Sequence, residues 1–497
     1  MRKALKFSFV AALVVLLFST AVACGGNGDD GSPTPTPADG TSLTGENFTK
    51  QGETYSFYSW QYNSENPYAG DDERNQQMRE RVERLQNEYG ITIQFVKQNS
   101  GSVLLQSAFQ GMPEITGMKE GGLHTMMDTY LYQNVPSTCL TPLSDHSDVY
   151  DFNNENKFNV YSQYDLCEYN DKLWYFIPIE LGVHFECGGN ALVFNKKLVE
   201  ANGYSAETIY EWVNNGEWTW DKFEEVLIAC TNRDQGIWGI QRGNEALVMW
   251  SLANSNGTEF VTLETHADGS KQDRFVYTGD KGERLMAAYD EFIKLANTLQ
   301  VMDTTYYTLM DKTPLENFQK GSVAFYYNGY STNALQEISK MEEDYGLVPW
   351  PKGPNNVANE NKYYSFYPHL NPYCVFRNET GNVKGAVQIL CELYTPIYDA
   401  NSEDAQALYE SERQQFTRDE ESAKNLDLVE ANKEHFRVFM YSKAPCTIGK
   451  ATQIRDVLFG KGEDDILAQT TSARQYFDGI ANAVNQAIYE RSPYTWK

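Results

Sequence analysis

The side-chain pattern of residues 54–96 follows first the period of a strand, then that of a helix, then that of a strand again. Side chains alternate in TYSFYSW (54–60), which predicts a strand. Apolar residues at helical spacing predict a helix over 72–89; they are Met78, Val82, Leu85 and Tyr89. Gly90 is placed to end that helix, and ITIQFV (91–96) predicts a second strand. A strand, a helix and a strand in this order predict a βαβ unit and hence a parallel sheet.

The same alternation of strands and helices returns further along the chain. Apolar runs predict strands at 191–195, 321–329 and 373–376. Apolar residues at helical spacing predict helices at 219–231, 281–299 and 386–394, and the last 60 residues also have a helical pattern. Thr219 is placed as an N-cap, with Asp221 in the first turn to complement the helix dipole. There is no internal repeat and no glycine-rich nucleotide motif. The pattern therefore predicts an α/β chain with two lobes.

The N-terminus has the pattern of an export signal. Residues 1–23 combine basic positions with an apolar run of about 7–17, which is too short to span a bilayer. Ala21, Ala23 and then Cys24 resemble the lipobox of bacterial lipoproteins, which implies a lipid on Cys24; the alternative is an ordinary signal peptide with a chance cysteine. Residues 25–45 are Gly, Ser, Thr, Pro, Asp and Asn with few bulky apolar side chains, so we expect a flexible tether.

Composition and charge restrict the function of the remaining body. Hydrophobic residues make up 41% of the chain, which predicts a globular body with a large core. The formal charge of −27 argues against nucleic acid or anionic lipid as a partner. The eight cysteines include no CxxC pair, and Cys230 and Cys391 have the setting of core residues on helices. The six histidines are scattered, so the sequence predicts no metal site and no cofactor.

Six segments, in order, carry a resemblance to a known family. They are ALVFNKKLVEANG, EWTWDKFEEVLIACTN, IWGI, NFQKGSVAFYYNGYSTNAL, YGLVPWPKGP and CVFRNETGNVKGAVQILCEL. Phe194-Asn195-Lys196 matches a strand end of the family, and 321–325 matches its Gly-Lys-x-Ala-Met strand. Together the segments resemble the extracellular solute-binding proteins (family 1) of ABC importers, the group that includes maltose-binding protein.

The resemblance implies a fold and a division of the chain. We expect a two-lobe α/β fold like that of periplasmic binding proteins, with a ligand cleft between the lobes and three chain crossings. Lobe one would be 46–185 plus 364–430, and lobe two 186–363 plus 431–497. The crossings would lie near 178–189, near 363–367 and near 430. Ligand contacts to both lobes would drive closure by hinge rotation, without covalent chemistry.

The resemblance also implies a cell-surface role. We expect a monomer held by its lipid at the extracellular face of a Gram-positive cell membrane. There it would capture a carbohydrate, with an oligosaccharide as the first choice, and deliver it to the transmembrane subunits of an ABC permease.

Sugar recognition suggests which side chains would line the cleft. Aromatic faces suit the apolar C–H faces of sugars, and carboxylates and amides suit the hydroxyls. We expect the ligand-binding residues to be Trp60, Glu180, Trp250, Asn328, Tyr330 and Tyr364. Trp60 follows the first strand, at the end where such sheets bind ligands. Tyr330 takes the place of a tryptophan-like position in the family turn that here begins with Asn328.

Each of these residues has a structural alternative. Trp60 and Trp250 could be core aromatics, and Glu180 could be an exposed hinge charge. Further residues that could line the cleft are Met118, Glu120, His184, Tyr363 and Tyr367. By contrast, we expect Trp218, Trp220 and Trp238 to pack inside lobe two.

Two other functional classes compete with the receptor hypothesis. A surface glycoside hydrolase would need two carboxylates about 5–10 Å apart in a cleft, and the 68 acidic residues do not exclude that. The sequence has no GxSxG, HExxH or recognisable Cys–His constellation. An adhesive surface protein is the second alternative, and it predicts no lobe closure on any small molecule.

Overall fold

The structure is a computed structural model. It describes residues 46–59, 66–70, 73–97, 122–125, 140–169, 171–179, 191–242, 247–307, 311–327, 332–367, 372–376, 381–396, 402–435, 437, 441, 444–468, 471–490 and 492. All of these residues belong to one compact unit.

The described residues form strands and helices that alternate along much of the chain. The strands are β1 Thr54–Ser59, β2 Thr92–Lys97, β3 Gly122–Thr125, β4 Glu168–Tyr169, β5 Lys172–Leu173, β6 Leu192–Asn195, β7 Trp238–Gln241, β8 Val261–Thr265, β9 Lys271–Phe275, β10 Met302–Asp303, β11 Val323–Tyr327, β12 Tyr345–Val348, β13 Ser365–Tyr367, β14 Tyr373–Val375, β15 Lys433–His435, β16 Pro445–Ile448 and β17 Ala451–Gln453. The helices are α1 Glu73–Tyr89, α2 Val160–Leu166, α3 Lys196–Ala201, α4 Ala206–Asn214, α5 Trp220–Cys230, α6 Leu247–Ser255, α7 Gly279–Ile293, α8 Thr313–Gln319, α9 Thr332–Ser339, α10 Pro354–Asn359, α11 Val383–Tyr394, α12 Glu403–Phe416, α13 Glu420–Ala431, α14 Gly462–Leu467 and α15 Ala473–Tyr489.

The first sheet has the strand order β14-β3-β1-β2. β1 pairs in parallel with β2 and β3, whereas β14 runs antiparallel to β3. Helix α1 buries Met78, Val82 and Leu85 and contacts β2 and α11. Gly90 ends this helix with φ +64°, a conformation that glycine adopts without strain. The predicted βαβ unit and its parallel pairing are confirmed.

The second sheet has the strand order β10-β7-β11-β6-β12. β7 is parallel to β10 and β11. β6 is antiparallel to both β11 and β12, so β12 points the same way as β11. The two sheets share no strand, and each packs against helices of its own. We call the first sheet with α1, α2 and α11 lobe one, and the second sheet with the other helices lobe two.

Most predicted elements are present with shifted ends. The strand predicted at 321–329 is β11, and the helix predicted at 219–231 is α5. Thr219 occupies the N-cap of α5, but its side chain makes no capping hydrogen bond. The helix predicted over 281–299 is α-helical through α7 and continues as a π-helical turn, Lys294–Thr298. Helix α11 is capped by Asn382, whose side-chain oxygen accepts from Gly385 N at 3.1 Å.

Helices α12 and α13 lie on lobe two, which corrects the predicted division at residue 430. The Tyr345 hydroxyl of β12 donates to Phe416 O at 2.8 Å. Leu347 N donates to Ser422 Oγ at 3.0 Å, and Asn425 Nδ2 donates to Leu347 O at 3.0 Å. These contacts tie 403–431 to the edge strand of the second sheet. Sequence order could not show this, because these helices follow α11 of lobe one directly.

The chain therefore passes between the lobes at different points from some of those predicted. The first passage lies between the described residues Ile179 and Ala191, and the second lies between β12 and β14. The third passage follows Pro396, whose carbonyl still accepts from Lys157 Nζ of lobe one at 3.2 Å. The prediction of a third crossing near 430 is wrong. Three passages remain, as the predicted fold requires.

The C-terminal residues are not all helical as predicted. β16 and β17 form an antiparallel hairpin before α14 and α15. Helix α15 contacts β9 and α7, which keeps this segment on lobe two. The strand β15 pairs in parallel with β13, beside the second passage of the chain.

The described residues were also compared with the requirements of a membrane-spanning helix and of a metal site. None of their helices is both long and apolar enough to cross a membrane. Within these residues, no group of three or more His, Cys, Asp or Glu side chains could hold a metal ion. Cys230 and Cys391 are buried free thiols, as expected for core residues.

Candidate functional site

In each sheet, the carboxyl ends of the strands that run in the same direction lie along one edge. In lobe one, β1, β2 and β3 are parallel, so they end together at Ser59, Lys97 and Thr125. In lobe two, β7, β10, β11 and β12 point the same way. Ligands of open α/β sheets bind outside the carboxyl ends of the strands. These two carboxyl edges are therefore the candidate functional site.

Two of the predicted site residues come directly after these strand ends. Trp60 follows Ser59, the last residue of β1, and Asn328 follows Tyr327, the last residue of β11. The predicted residues Trp60, Glu180, Asn328 and Tyr330 lie outside the described residues, as do Met118, Glu120, His184 and Cys24. Their roles remain predictions, and the strand ends next to Trp60 and Asn328 agree with a place at the edge.

Trp250 and Tyr364 are described, and both side chains are buried. Trp250 lies on α6, close after the carboxyl end of β7, and is 1% exposed. Tyr364 is 6% exposed, and Lys362 Nζ lies 4.0 Å from its ring centroid. In this arrangement neither ring presents an open face to a solute. Their ligand-binding roles stay predictions, and the core alternative for Trp250 agrees with its burial.

Two neighbouring tyrosines of the second passage, Tyr363 and Tyr367, are held by lobe two and by the strand pair β13 and β15. The Tyr363 hydroxyl donates to Val213 O at 3.3 Å, and Lys352 Nζ lies 4.9 Å from the Tyr363 ring centroid. Burial raises the pKa of Tyr363. Tyr367 is the last residue of β13 and pairs with His435 of β15. These contacts make the segment part of the connection between the lobes.

The tryptophans expected inside lobe two are in its core or at its margin. Trp218 is fully buried and donates through Nε1 to Pro349 O at 2.9 Å. Trp220 is also buried and donates to Ser255 Oγ at 3.1 Å. Trp238 begins β7 and is partly exposed. The expectation that Trp218 and Trp220 pack inside lobe two is confirmed.

Polar side chains that the sequence prediction missed lie at the carboxyl ends of β7 and β10. Gln241 Nε2 donates to Asp303 Oδ2 at 3.3 Å, while the buried Gln241 Oε1 has no hydrogen-bond partner. Arg242 N donates to Asp303 O at 2.9 Å. The Arg242 guanidinium pairs with Asp464 Oδ1 at 2.9 Å and lies 5.2 Å from the Tyr306 ring centroid. At this part of the edge, the amide of Gln241 and the carboxylate of Asp303 therefore lie beside the paired guanidinium of Arg242.

An aromatic pair lies at the ends of β11 and β12. The rings of Tyr327 and Trp350 are 5.0 Å apart at 81°. Trp350 Nε1 is buried and has no hydrogen-bond partner. Burial raises the pKa of Tyr327, and a hydrogen bond with Ser251 partly opposes that shift. Tyr327 is 4% exposed and Trp350 is 2% exposed, so this pair belongs to the packing of the edge and presents no open ring face.

These missed residues are recognised by their position at the strand ends. That position becomes visible only when the pairing of the strands is known. Gln241 and Asp303 end their strands, and Trp350 comes just after β12. In the sequence alone they are separate residues of WGIQR, VMD and YGLVPW. The parallel direction of four strands brings them to one edge.

Solved structures of binding proteins have a similar fold. One is an ABC substrate-binding protein from Listeria monocytogenes in complex with cycloalternan, with TM-score 0.54 and 12% identity over 88% of this chain and 99% of that one. Another is a cyclic alpha-maltosyl-1,6-maltose binding protein from Arthrobacter globiformis, with TM-score 0.55 and 13% identity over 88% and 99%. A third is UgpB from Mycobacterium tuberculosis in complex with glycerophosphocholine, with TM-score 0.54 and 14% identity over 89% and 99%.

The sequence comparisons add no closer relationship. No family model matches the chain, and no curated protein matches it in sequence. At such low identity the structural similarity establishes the fold rather than the ligand. Because it covers nearly the whole of each solved protein, it confirms the predicted two-lobe architecture. The chain has the fold of ABC solute-binding proteins.

Proposed function

We propose that this protein is the extracellular solute-binding component of an ABC importer and that it captures a carbohydrate between its two lobes. The observation that carries the proposal is the fold, which is shared along almost the full length of proteins that bind cycloalternan and a cyclic maltosyl-maltose. The hydrolase alternative has no comparable support among the similar structures.

The carboxyl edge of lobe two supports an uncharged, hydroxyl-rich solute. The Arg242 guanidinium is itself only 2% exposed and pairs with Asp464, so it presents no open cation to a phosphate. Gln241 and Asp303 supply amide and carboxylate groups at this edge. An oligosaccharide offers hydroxyls to this pair, and its C–H faces would stack on Trp60 and Tyr330. A glycerol phosphodiester, as in the mycobacterial structure, would require a cation that this part of the edge does not supply.

The residues proposed to hold the solute come from both lobes. Trp60 at the end of β1 would stack on one sugar face, and Tyr330 after β11 would approach from the other lobe. Because the ligand touches both lobes, binding favours the closed arrangement; a ligand that contacted one lobe equally in both arrangements would shift nothing. Lobe closure then presents the loaded protein to the permease subunits.

The anchor is part of the proposal. Lipid on Cys24 and a tether over 25–45 would keep a monomeric receptor at the outer face of a Gram-positive membrane. A tether of about 20 flexible residues has a typical span of roughly 25 Å, enough for the body to reorient near its permease. The substitution Cys24→Ala removes the proposed site of lipid attachment, so it should release the protein into the culture medium. Retention of that variant in the membrane fraction would contradict the lipid anchor.

The solute is tested by thermal unfolding of residues 46–497 against mono- and oligosaccharides, polyols, glycerol phosphodiesters and peptides. A ligand at a hundred times its dissociation constant stabilises by about 2.7 kcal/mol, which is a shift of a few degrees in a body of this size. We expect one class of oligosaccharide to produce the shift and Trp60→Ala or Tyr330→Ala to abolish it. Tyr489→Ala, which truncates an aromatic residue 42% exposed on α15, is the matched control.

The competing functions give different results in the same samples. Consumption of an added sugar, or turnover of chromogenic glycosides, would replace the receptor with a hydrolase. A shift with a charged solute alone would contradict the carbohydrate assignment. No shift with any solute, together with unchanged small-angle scattering, would favour the adhesive protein.

A further inference from the structure

Arg437 contacts carboxylates of both lobes beside the strand pair β13 and β15. Arg437 comes just after β15, and its Nε donates to Asp273 Oδ1 of β9 at 2.7 Å. Its Nη1 donates to both the carbonyl oxygen and Oδ2 of Asp165, at 3.0 and 3.1 Å. The guanidinium therefore contacts two carboxylates that are far apart in the sequence.

Asp165 belongs to lobe one. It lies on α2, where Gln163 Oε1 accepts from Ile177 N at 3.2 Å. The adjacent Phe176 bridges to Tyr373 of β14, a strand of the first sheet, and the two rings stack 5.3 Å apart. Helix α2 is thus held to the first sheet through the 176–177 segment.

Asp273 belongs to lobe two. Phe275, at the end of the same strand, donates its N–H to Asn485 Oδ1 of α15 at 3.0 Å. Helix α15 contacts α7, and the residues after α7 reach the second sheet, where Val301 O accepts from Gly239 N at 3.0 Å. The pairs of Arg437 with Asp165 and Asp273 therefore span the two lobes.

The two halves of this link differ in burial. Asp273 is 0% exposed, and it also accepts from the Tyr441 hydroxyl and from Ser492 Oγ. Arg437 itself is 4% exposed. The Asp165 side chain is 38% exposed, so water can replace its contact with the guanidinium. Separating the buried pair would leave an uncompensated charge, whereas separating the exposed pair would not. If the lobes separated, this difference in burial would keep Arg437 with Asp273, and Asp165 would be the partner that it lost.

The link is located where it can influence lobe movement. β15 pairs with β13 in parallel, in register Ser365↔Lys433 and Tyr367↔His435. β13 lies in the second passage of the chain between the lobes. Arg437 thus extends from the end of β15, which pairs with β13, to an exposed carboxylate on lobe one.

We propose that Arg437 is a positioning residue for lobe movement, which holds the lobe arrangement seen here through Asp165 while it remains anchored on Asp273. It sets the balance between lobe arrangements and, through that balance, the apparent solute affinity, without touching the solute. The effect on affinity rests on the proposed receptor function; the effect on lobe arrangement does not. An exposed ion pair is weak, so its loss should change the ratio of arrangements by about two- to five-fold.

The test uses Asp165→Asn in the mature protein without any solute. This substitution removes the charge of Asp165 but leaves its backbone contact to Arg437 in place. Arg437→Met is less informative, because it leaves Asp273 buried without its cation and endangers folding. The matched control is Asp145→Asn, which removes an exposed carboxylate of lobe one that pairs with Lys172 of the same lobe.

Small-angle scattering at low and high salt provides the readout, with thermal unfolding alongside it. We expect Asp165→Asn to change the radius of gyration at low salt, and high salt to move the wild type toward the variant. Asp145→Asn should scatter like the wild type, and all three midpoints should agree within about a degree. Identical scattering of Asp165→Asn and wild type at both salt concentrations would overturn the proposal. So would a variant whose only change is a lower midpoint.

The outcome is separable from the proposed function. If no sugar raises the unfolding midpoint while Asp165→Asn changes the scattering, the role of Arg437 is supported and the carbohydrate assignment is rejected. If a sugar is found, its dissociation constant should shift in Asp165→Asn by the same two- to five-fold factor and remain unchanged in Asp145→Asn. A sugar affinity that is equal in all three proteins, with equal scattering, rejects the link and keeps the receptor.

Discussion

A buried carboxylic acid in lobe one should make stability depend on pH. Glu392 lies on α11 and is 2% exposed. Its Oε1 accepts from the Tyr89 hydroxyl at 3.0 Å and from Gln388 Nε2 at 2.9 Å. Gln388 is itself fixed, because its Oε1 accepts from Phe48 N at 2.8 Å. Burial raises the pKa of Glu392 from 4.5 to about 7, although both hydrogen bonds oppose the shift.

The sign of the effect follows from where the proton binds more tightly. A raised pKa means that the folded protein holds the Glu392 proton more tightly than the unfolded chain does. The resulting stabilisation is fully present below pH 4.5 and is lost as the pH rises through about 7. The difference between these pKa values corresponds to about 3 kcal/mol. For about 450 cooperatively unfolding residues, this is a change of about 3 °C in the midpoint.

The perturbation is Glu392→Gln, which cannot ionise and keeps an oxygen that accepts from Gln388. The assay is urea or thermal unfolding of wild type and variant between pH 4.5 and 8.5. We expect the variant to gain about 3 kcal/mol relative to the wild type across this range, with the change centred between pH 5 and 7. Any cost of the new amide is constant with pH, so only the slope of the difference is diagnostic.

Glu80→Gln provides the control, because Glu80 is an exposed residue of α1 in the same lobe. Its difference from wild type should be flat with pH. Burial and the neighbouring Glu224 also raise the pKa of Glu291 in lobe two, to about 8. That group contributes the same slope to every protein compared and cancels in the difference. Parallel stability curves for Glu392→Gln and wild type would refute the reasoning.

Two further predictions concern the packing of lobe two. Trp218→Phe removes the hydrogen bond to Pro349 O and leaves a cavity, so unfolding in urea should become easier by about 2–4 kcal/mol; a loss below about 1 kcal/mol would contradict this packing. Gly346→Ala would place a Cβ 2.3 Å from Phe194 Cζ and from the Tyr210 oxygen, which should cost about 1–3 kcal/mol. The same substitution at Gly479, where a Cβ meets nothing within 4 Å, should be neutral or stabilising in that assay.

The sequence predicted local elements well because their signals are local. Met78, Val82 and Leu85 at helical spacing identify α1, and the same periodicity identifies α5 and α11. The order of the family segments also gave the two-lobe fold. The prediction that residues after strand ends form the site follows from the same information. Trp60 and Asn328 do follow β1 and β11 directly.

Burial and long-range pairing were not in those local signals. Trp250 and Tyr364 were plausible cleft residues by position, yet the structure buries both. The sequence pattern did not identify Gln241, Asp303 or Trp350 as residues of the candidate site. They meet at one edge only because β7, β10, β11 and β12 point in one direction.

The sequence by itself determined the class of fold and the strand and helix positions, because each depends on the spacing or composition of neighbouring residues. Tertiary structure alone decided that α12 and α13 join lobe two and that Arg437 connects Asp165 with Asp273. The physical reason is separation along the chain. Periodicity shows which face of an element is buried, but only the folded chain shows which of many apolar faces and charges it meets.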